Sequence, residues 1–146
     1  RGQVIGVNTF ILDPSGRGAN IGIGYAVPIN LVKRIAPSLR DNGSYTHPYL
    51  GFADLRTVNS LFARQNNLPS KGVYINEVVP NGPAGQAGVQ AGETIVAIDG
   101  QAILEAGQLV SYLEFNTSPG DSITLTLMDG GGQTRDVNVQ VAERPR

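Results

Sequence analysis

The chain has 146 residues, 11 Lys and Arg against 12 Asp and Glu, a formal net charge of -1, no Cys and one His. Without Cys there is no disulfide framework, thiolate metal site, iron–sulfur cluster or Cys nucleophile, and His47 alone cannot build a poly-His metal centre. The near-zero charge argues against a nucleic-acid partner, which requires a basic face.

Residues 4–12 (VIGVNTFIL) are rich in β-formers and end at the turn sequence Asp13-Pro14-Ser15-Gly16. A second apolar run, 21–29 (IGIGYAVPI), contains Gly22 and Gly24, which suggest close backbone approach or a bend. Asn30 is placed to cap a helix that carries Leu31, Ile35 and Leu39 at four-residue spacing to about Arg40, with Pro37 inside it. Asp41-Asn42-Gly43-Ser44 closes this unit. The opening RGQVIGVNTF has no apolar segment ahead of a small-residue cleavage site, so it reads as an excerpt of a longer protein and not as a signal peptide.

The second unit opens at Tyr49-Leu50-Gly51-Phe52. Residues 57–67 suggest a short helix with Leu61 and Phe62 on its apolar side, and 72–79 (GVYINEVV) a strand. Pro83 starts one helical turn over 83–87. Residues 94–98 (TIVAI) make a strand closed by Asp99-Gly100, a tight-turn pair. A helix is expected over 105–115, with Leu109 and Leu113 one turn apart and facing the core. Residues 122–128 (SITLTLM) alternate as a strand, and 137–141 form the next, joined by Asp129-Gly130-Gly131-Gly132-Gln133. No apolar run approaches the roughly 20 residues of a membrane span, and no residues suggest a cofactor or metal site.

The segment 78–100, VVPNGPAGQAGVQAGETIVAIDG, has the most specific pattern. Asn81-Gly82-Pro83 turns the chain, Ala84 and Ala87 are small enough for close packing, Gly88 can supply a left-handed cap and Gly92 a turn. This order resembles the Gly-x-Pro-Ala-x-x-Ala-Gly-x-x-x-Gly-Asp-x-Ile core of bacterial PDZ domains, with Glu93 in place of the usual Asp. Tyr49-Leu50-Gly51-Phe52 resembles the carboxylate-binding loop that opens PDZ domains of HtrA/DegP-type serine proteases. Residues 1–35, RGQVIGVNTFI followed by IGIGYAVPINLVKRI, resemble the end of the trypsin-like domain of that family, just after its nucleophile motif. The resemblance covers nearly the whole chain.

The resemblance implies an α+β, mainly β fold. This is a PDZ-type partly open β-barrel with two helices over 46–146, preceded over 1–45 by two strands and a helix from the end of a trypsin-like barrel. It implies a carboxylate-binding loop of Tyr49, Leu50, Gly51 and Phe52, and a peptide groove along Ala53, Asp54, Ala106, Val110 and Glu114. Leu50, Phe52 and Val110 would line a pocket for an apolar terminal side chain. Asn8, Thr9 and Ile23 would border the parent protease's substrate groove.

No Gly-Asn-Ser-Gly-Gly motif occurs, and His47 in Thr46-His47-Pro48 reads as an exposed linker histidine. The fragment itself is therefore expected to have no catalytic residues. The expected role is recognition of peptide or unfolded-protein C-termini, by β-strand addition, for an upstream protease domain in protein quality control. A role in homo-oligomer assembly or as a scaffold is the alternative. The family's setting is the cell envelope or periplasm. The first unit, cut from its barrel, should expose apolar edges.

Overall fold

The computed structural model describes residues 2–11, 24–69 and 71–145. The chain forms two compact units, Arg1–Tyr45 and Thr46–Arg146.

In the first unit, β1 (Gly6–Ile11) pairs antiparallel with β2 (Gly24–Pro28), with an irregularity between Asn8 and Phe10. The expected turn at Asp13–Gly16, Gly22 and Ile23 lie outside the described residues. Helix α1 (Ile29–Asn42) follows directly. Its N-cap is Pro28, at φ -59°, and no side chain caps it. Asn30 falls inside the first turn, which corrects the expected cap: the strand's terminal proline carries the chain straight into helix, two residues too early for Asn30. Gly43, at φ 70°, ends the helix in the left-handed conformation, donating its N–H to Leu39 O. Val4, Ile5, Val7 and Tyr25 are exposed.

The second unit is built on an antiparallel sheet ordered β4-β5-β6-β8-β9, with β7 paired to β6. Its strands are β4 (Phe52–Thr57), β5 (Val73–Val78), β6 (Thr94–Ile98), β7 (Gln101–Ala102), β8 (Ser122–Met128) and β9 (Thr134–Gln140). A separate short ribbon pairs β3 (Pro48–Tyr49) with β10 (Ala142–Glu143). The helices are α2 (Ser60–Asn66), the single turn α3 (Pro83–Gln86) and α4 (Ala106–Asn116). No helix among the described residues is long and apolar enough to cross a membrane.

Period-two alternation places Ile123, Leu125 and Leu127 of β8 on the inner face. They meet Ile75, Ile95, Ile98, Val139 and Leu109 in one core. Each such side chain contributes about 1.5–3 kcal/mol when fully buried. Asp99 and Gly100, at φ 47° and 76°, form the two-residue turn that folds β7 back on β6.

Helix α2 is shorter than expected because β4 runs on through Thr57. Asn59 caps it, its side chain accepting from the Phe62 N–H at 2.9 Å. Its buried face carries Ala63, while Leu61 is 66% exposed, so the expected apolar side is displaced. Glu93 fills the place of the usual Asp: its carboxylate accepts from the Gln90 N–H and, at 2.8 and 2.9 Å, from the Arg135 guanidinium. That guanidinium also donates to Gly88 O, tying β9 to the loop after α3. The hydrogen bonds it donates to Glu93, with the nearby carboxylate charge, hold Arg135 protonated more firmly than a free guanidinium, although its burial works the other way.

Candidate functional site

The site is assembled where the Tyr49–Phe52 loop meets the Val79–Ala84 turn. Gly51 has φ 85°. A Cβ added there would lie 2.9 Å from Gly82 Cα and 3.1 Å from Pro83 Cδ. Two glycines thus stand back to back, and only their missing side chains let the two segments touch. Ala84, fully buried, continues the contact: its N–H donates to Leu50 O at 2.7 Å, and the Val79 N–H donates to Gly51 O at 2.8 Å.

These two bonds orient the loop. In a trans peptide a carbonyl and the next residue's N–H point in opposite directions, and no described peptide bond is cis. With the Leu50 and Gly51 carbonyls committed to the 79–84 turn, the N–H groups of Gly51 and Phe52 face away from it. Among the described residues, neither the Leu50 nor the Gly51 N–H donates to a backbone carbonyl. Successive free N–H groups at such a turn form an anion-binding concavity.

Beside the loop lies a cleft of about 180 Å³. The loop contributes Tyr49, Leu50, Gly51 and Phe52, β4 contributes Leu55, and α4 contributes Leu109, Val110, Leu113 and Glu114. Leu50, Leu109 and Leu113 are buried, whereas Val110 is 55% exposed and available to a ligand. One edge of β4 carries no strand among the described residues, because β4 ends the sheet order.

The pattern over residues 48–141 matches the PDZ domain family. The chain belongs to that family. Periplasmic serine endoprotease DegP of Escherichia coli (strain K12) is 32% identical over 143 residues, which is 97% of this chain and 29% of the relative. Periplasmic pH-dependent serine endoprotease DegQ of the same strain is 32% identical over 130 residues, covering 89% of the chain and 28% of the relative. The chain therefore spans less than a third of the length of these relatives, and its similarity to DegP extends through both units. The solved structure of HtrA-type protease AlgW with decapeptide superposes with a TM-score of 0.78 at 27% identity, covering 99% of this chain and 43% of that one.

The PDZ domain brings Leu50, Phe52, Val110 and Glu114 around one cleft. Ala53 and Asp54 lie outside its lining, on the irregular part of β4 where the register shifts. Ala106 begins α4 one turn before Val110, packs against the core and donates its N–H to Thr57 Oγ1. Asn8 and Thr9 lie in β1 of the other unit, where the Thr9 hydroxyl donates to Tyr25 O at 3.2 Å. Ile23 is outside the described residues.

His47 is not a bare linker histidine: its Nδ1 lies 2.8 Å from Glu114 Oε1, clasping the start of the PDZ domain to α4. Arg144 also lines the cleft, held by its N–H bonding to His47 O at 3.0 Å. Both placements depend on the two-residue β3–β10 pairing across the domain, too short to have a periodic signature. Leu55 joins the lining because the register shifts in β4 turn it to the same side as Phe52. A larger cleft of about 490 Å³ between β7 and α4 is lined mainly by polar side chains, among them Gln101, Gln108, Ser111 and Asn116, and does not match an apolar terminus. No group of three His, Cys, Asp or Glu among the described residues could hold a metal ion.

Proposed function

We propose that the PDZ domain captures polypeptide C-termini for an HtrA/DegP-type serine endopeptidase acting outside the cytoplasm in protein quality control. The terminal carboxylate is held by the N–H groups of Leu50, Gly51 and Phe52. The last side chain, apolar, enters the cleft between Leu50, Phe52 and Val110, and the preceding residues add as a strand to the free edge of β4. The observation that carries this reading is the loop geometry: both carbonyls engaged behind, and the N–H groups turned forward beside an apolar cleft. Residues 1–45 are assigned to the end of the protease domain, and the chain alone is hydrolytically inert.

A binding titration with a free-acid peptide ending in an apolar residue, against its C-terminal amide, tests this. Replacing one carboxylate oxygen by NH₂ removes the charge and places a donor against donors. Charge-assisted hydrogen bonds contribute about 1.5–3 kcal/mol each, so the amide should bind at least about tenfold more weakly. Equal affinity for acid and amide refutes carboxylate capture. An active-site serine probe should leave the chain unlabelled.

A further inference from the structure

The cleft accounts for side chains of a bound strand that point toward α4. Alternate ligand residues must point to the opposite face of the sheet, where β4 carries charged groups. Asp54 Oδ2 accepts from Asn76 Nδ2 at 2.8 Å, which places Asp54 on the face shared by Asn76 and Tyr74 of β5. Arg56 pairs directly with Tyr74. Its guanidinium carbon lies 4.0 Å above the Phe62 ring, which in turn packs edge-on against Tyr74 at 5.3 Å. Among the described residues Arg56 forms no ion pair. The cation therefore lies over an aromatic ring, exposed, at a sheet edge that carries no strand among the described residues; Asp54 shares its face, but that carboxylate is bonded to Asn76 and makes no ion pair with Arg56.

The register fixes what it would meet. Ile75 commits its N–H to Glu93 O and its carbonyl to Gly92 N, away from β4. Leu55, opposite Ile75, therefore turns its own peptide groups to the free edge, as does Thr57 two residues on, while Arg56 turns its peptide groups to β5. Phe52 has its N–H on the free side as well. An antiparallel ligand strand anchored by its carboxylate then pairs its first, third and fifth residues from the end with Phe52, Leu55 and Thr57. Its fourth residue from the end lies opposite Arg56, with its side chain on the Arg56 face.

We propose that Arg56 is a specificity-determining residue that selects an acidic side chain at the fourth position from the ligand's C-terminus. This rests on the strand-addition reading above. An exposed pair of this kind is worth a small factor, raised by the fixed guanidinium, so a Glu at that position should bind about two- to fivefold tighter than Lys.

The test uses the 146-residue chain and three free-acid heptapeptides identical except for Glu, Ala or Lys at the fourth position from the end, titrated by fluorescence anisotropy. The expected order is Glu, then Ala, then Lys, with the spread narrowing at 1 M salt. Arg56→Gln should erase the preference, and Arg56→Glu should invert it. If all three peptides bind but the Glu-to-Lys ratio is unchanged in Arg56→Glu, the assignment is overturned and strand addition stands. If no peptide binds the unmodified chain, the ligand site itself fails and this inference with it.

Discussion

Replacing Gly51 by Val tests the loop's geometry most directly. Gly51 sits at φ 85°, where an L side chain costs about 1–2 kcal/mol. The new Cβ would stand 2.9 Å from Gly82 Cα and 3.2 Å from Gly82 C, both backbone atoms that cannot rotate aside. Relief requires the loop to retreat from the 79–84 turn, which breaks Ala84 N–H to Leu50 O and Val79 N–H to Gly51 O. Each of those bonds contributes about 1 kcal/mol. The expected destabilisation is about 2–4 kcal/mol, less than the stability of most domains, so the variant stays folded at low denaturant. The N–H groups that face the cleft lose their aim, and affinity for a free-acid peptide should fall at least about tenfold. Urea unfolding reads the first effect and anisotropy titration under native conditions the second. Gly107→Ala is the control: nothing lies within 4 Å of its added Cβ, and it should stabilise α4 by about 0.5–1 kcal/mol without touching binding. A Val variant at position 51 that binds within twofold of the unmodified chain would falsify the carboxylate-loop reasoning.

Two further outcomes are expected. Val110→Glu, at a position already 55% exposed, should leave unfolding nearly unchanged yet weaken apolar-terminated peptides about tenfold, because a carboxylate then lines their pocket and repels their terminus; unchanged affinity counts against this cleft. Tyr112 donates its hydroxyl to Asp99 Oδ2 at 2.9 Å, and this bond, then burial and the Asp99 charge, raise its pKa above 10. The folded state therefore holds that proton more tightly than the unfolded chain. The resulting stability is intact below the ordinary tyrosine range and is lost as pH climbs through the raised value. The Tyr112 ring resonance in an NMR titration should show the late midpoint and move down in Asp99→Ala; an ordinary midpoint in the unmodified chain contradicts the contact.

Much of this architecture was legible in the residues because its determinants are local. The alternation of SITLTLM places Ile123, Leu125 and Leu127 inside without reference to any partner, and Asp99-Gly100 specifies a two-residue turn by its own backbone preferences. Gly51, Gly82 and Ala84 were recognisable as small residues required at fixed spacing, although the sequence does not say that Gly51 and Gly82 serve one another. Short elements were read less well. Over the two turns of α2 no periodicity could distinguish Leu61 from Ala63 as the buried residue, and Pro28 displaced Asn30 from the cap because the strand ends directly in helix.

The two motifs and their order were thus enough to specify a PDZ domain and to mark Tyr49, Leu50, Gly51, Phe52 and Val110. Only the tertiary structure decided which way the loop's N–H groups point, since that depends on hydrogen bonds to residues some thirty positions away. It alone brought His47 to Glu114 and Arg144 to the cleft, through a two-residue pairing with no periodic signature. It alone laid Arg56 over Phe62 at an edge that pairs with no strand among the described residues, because a strand's free side is fixed by the order of the sheet and not by the strand's own residues.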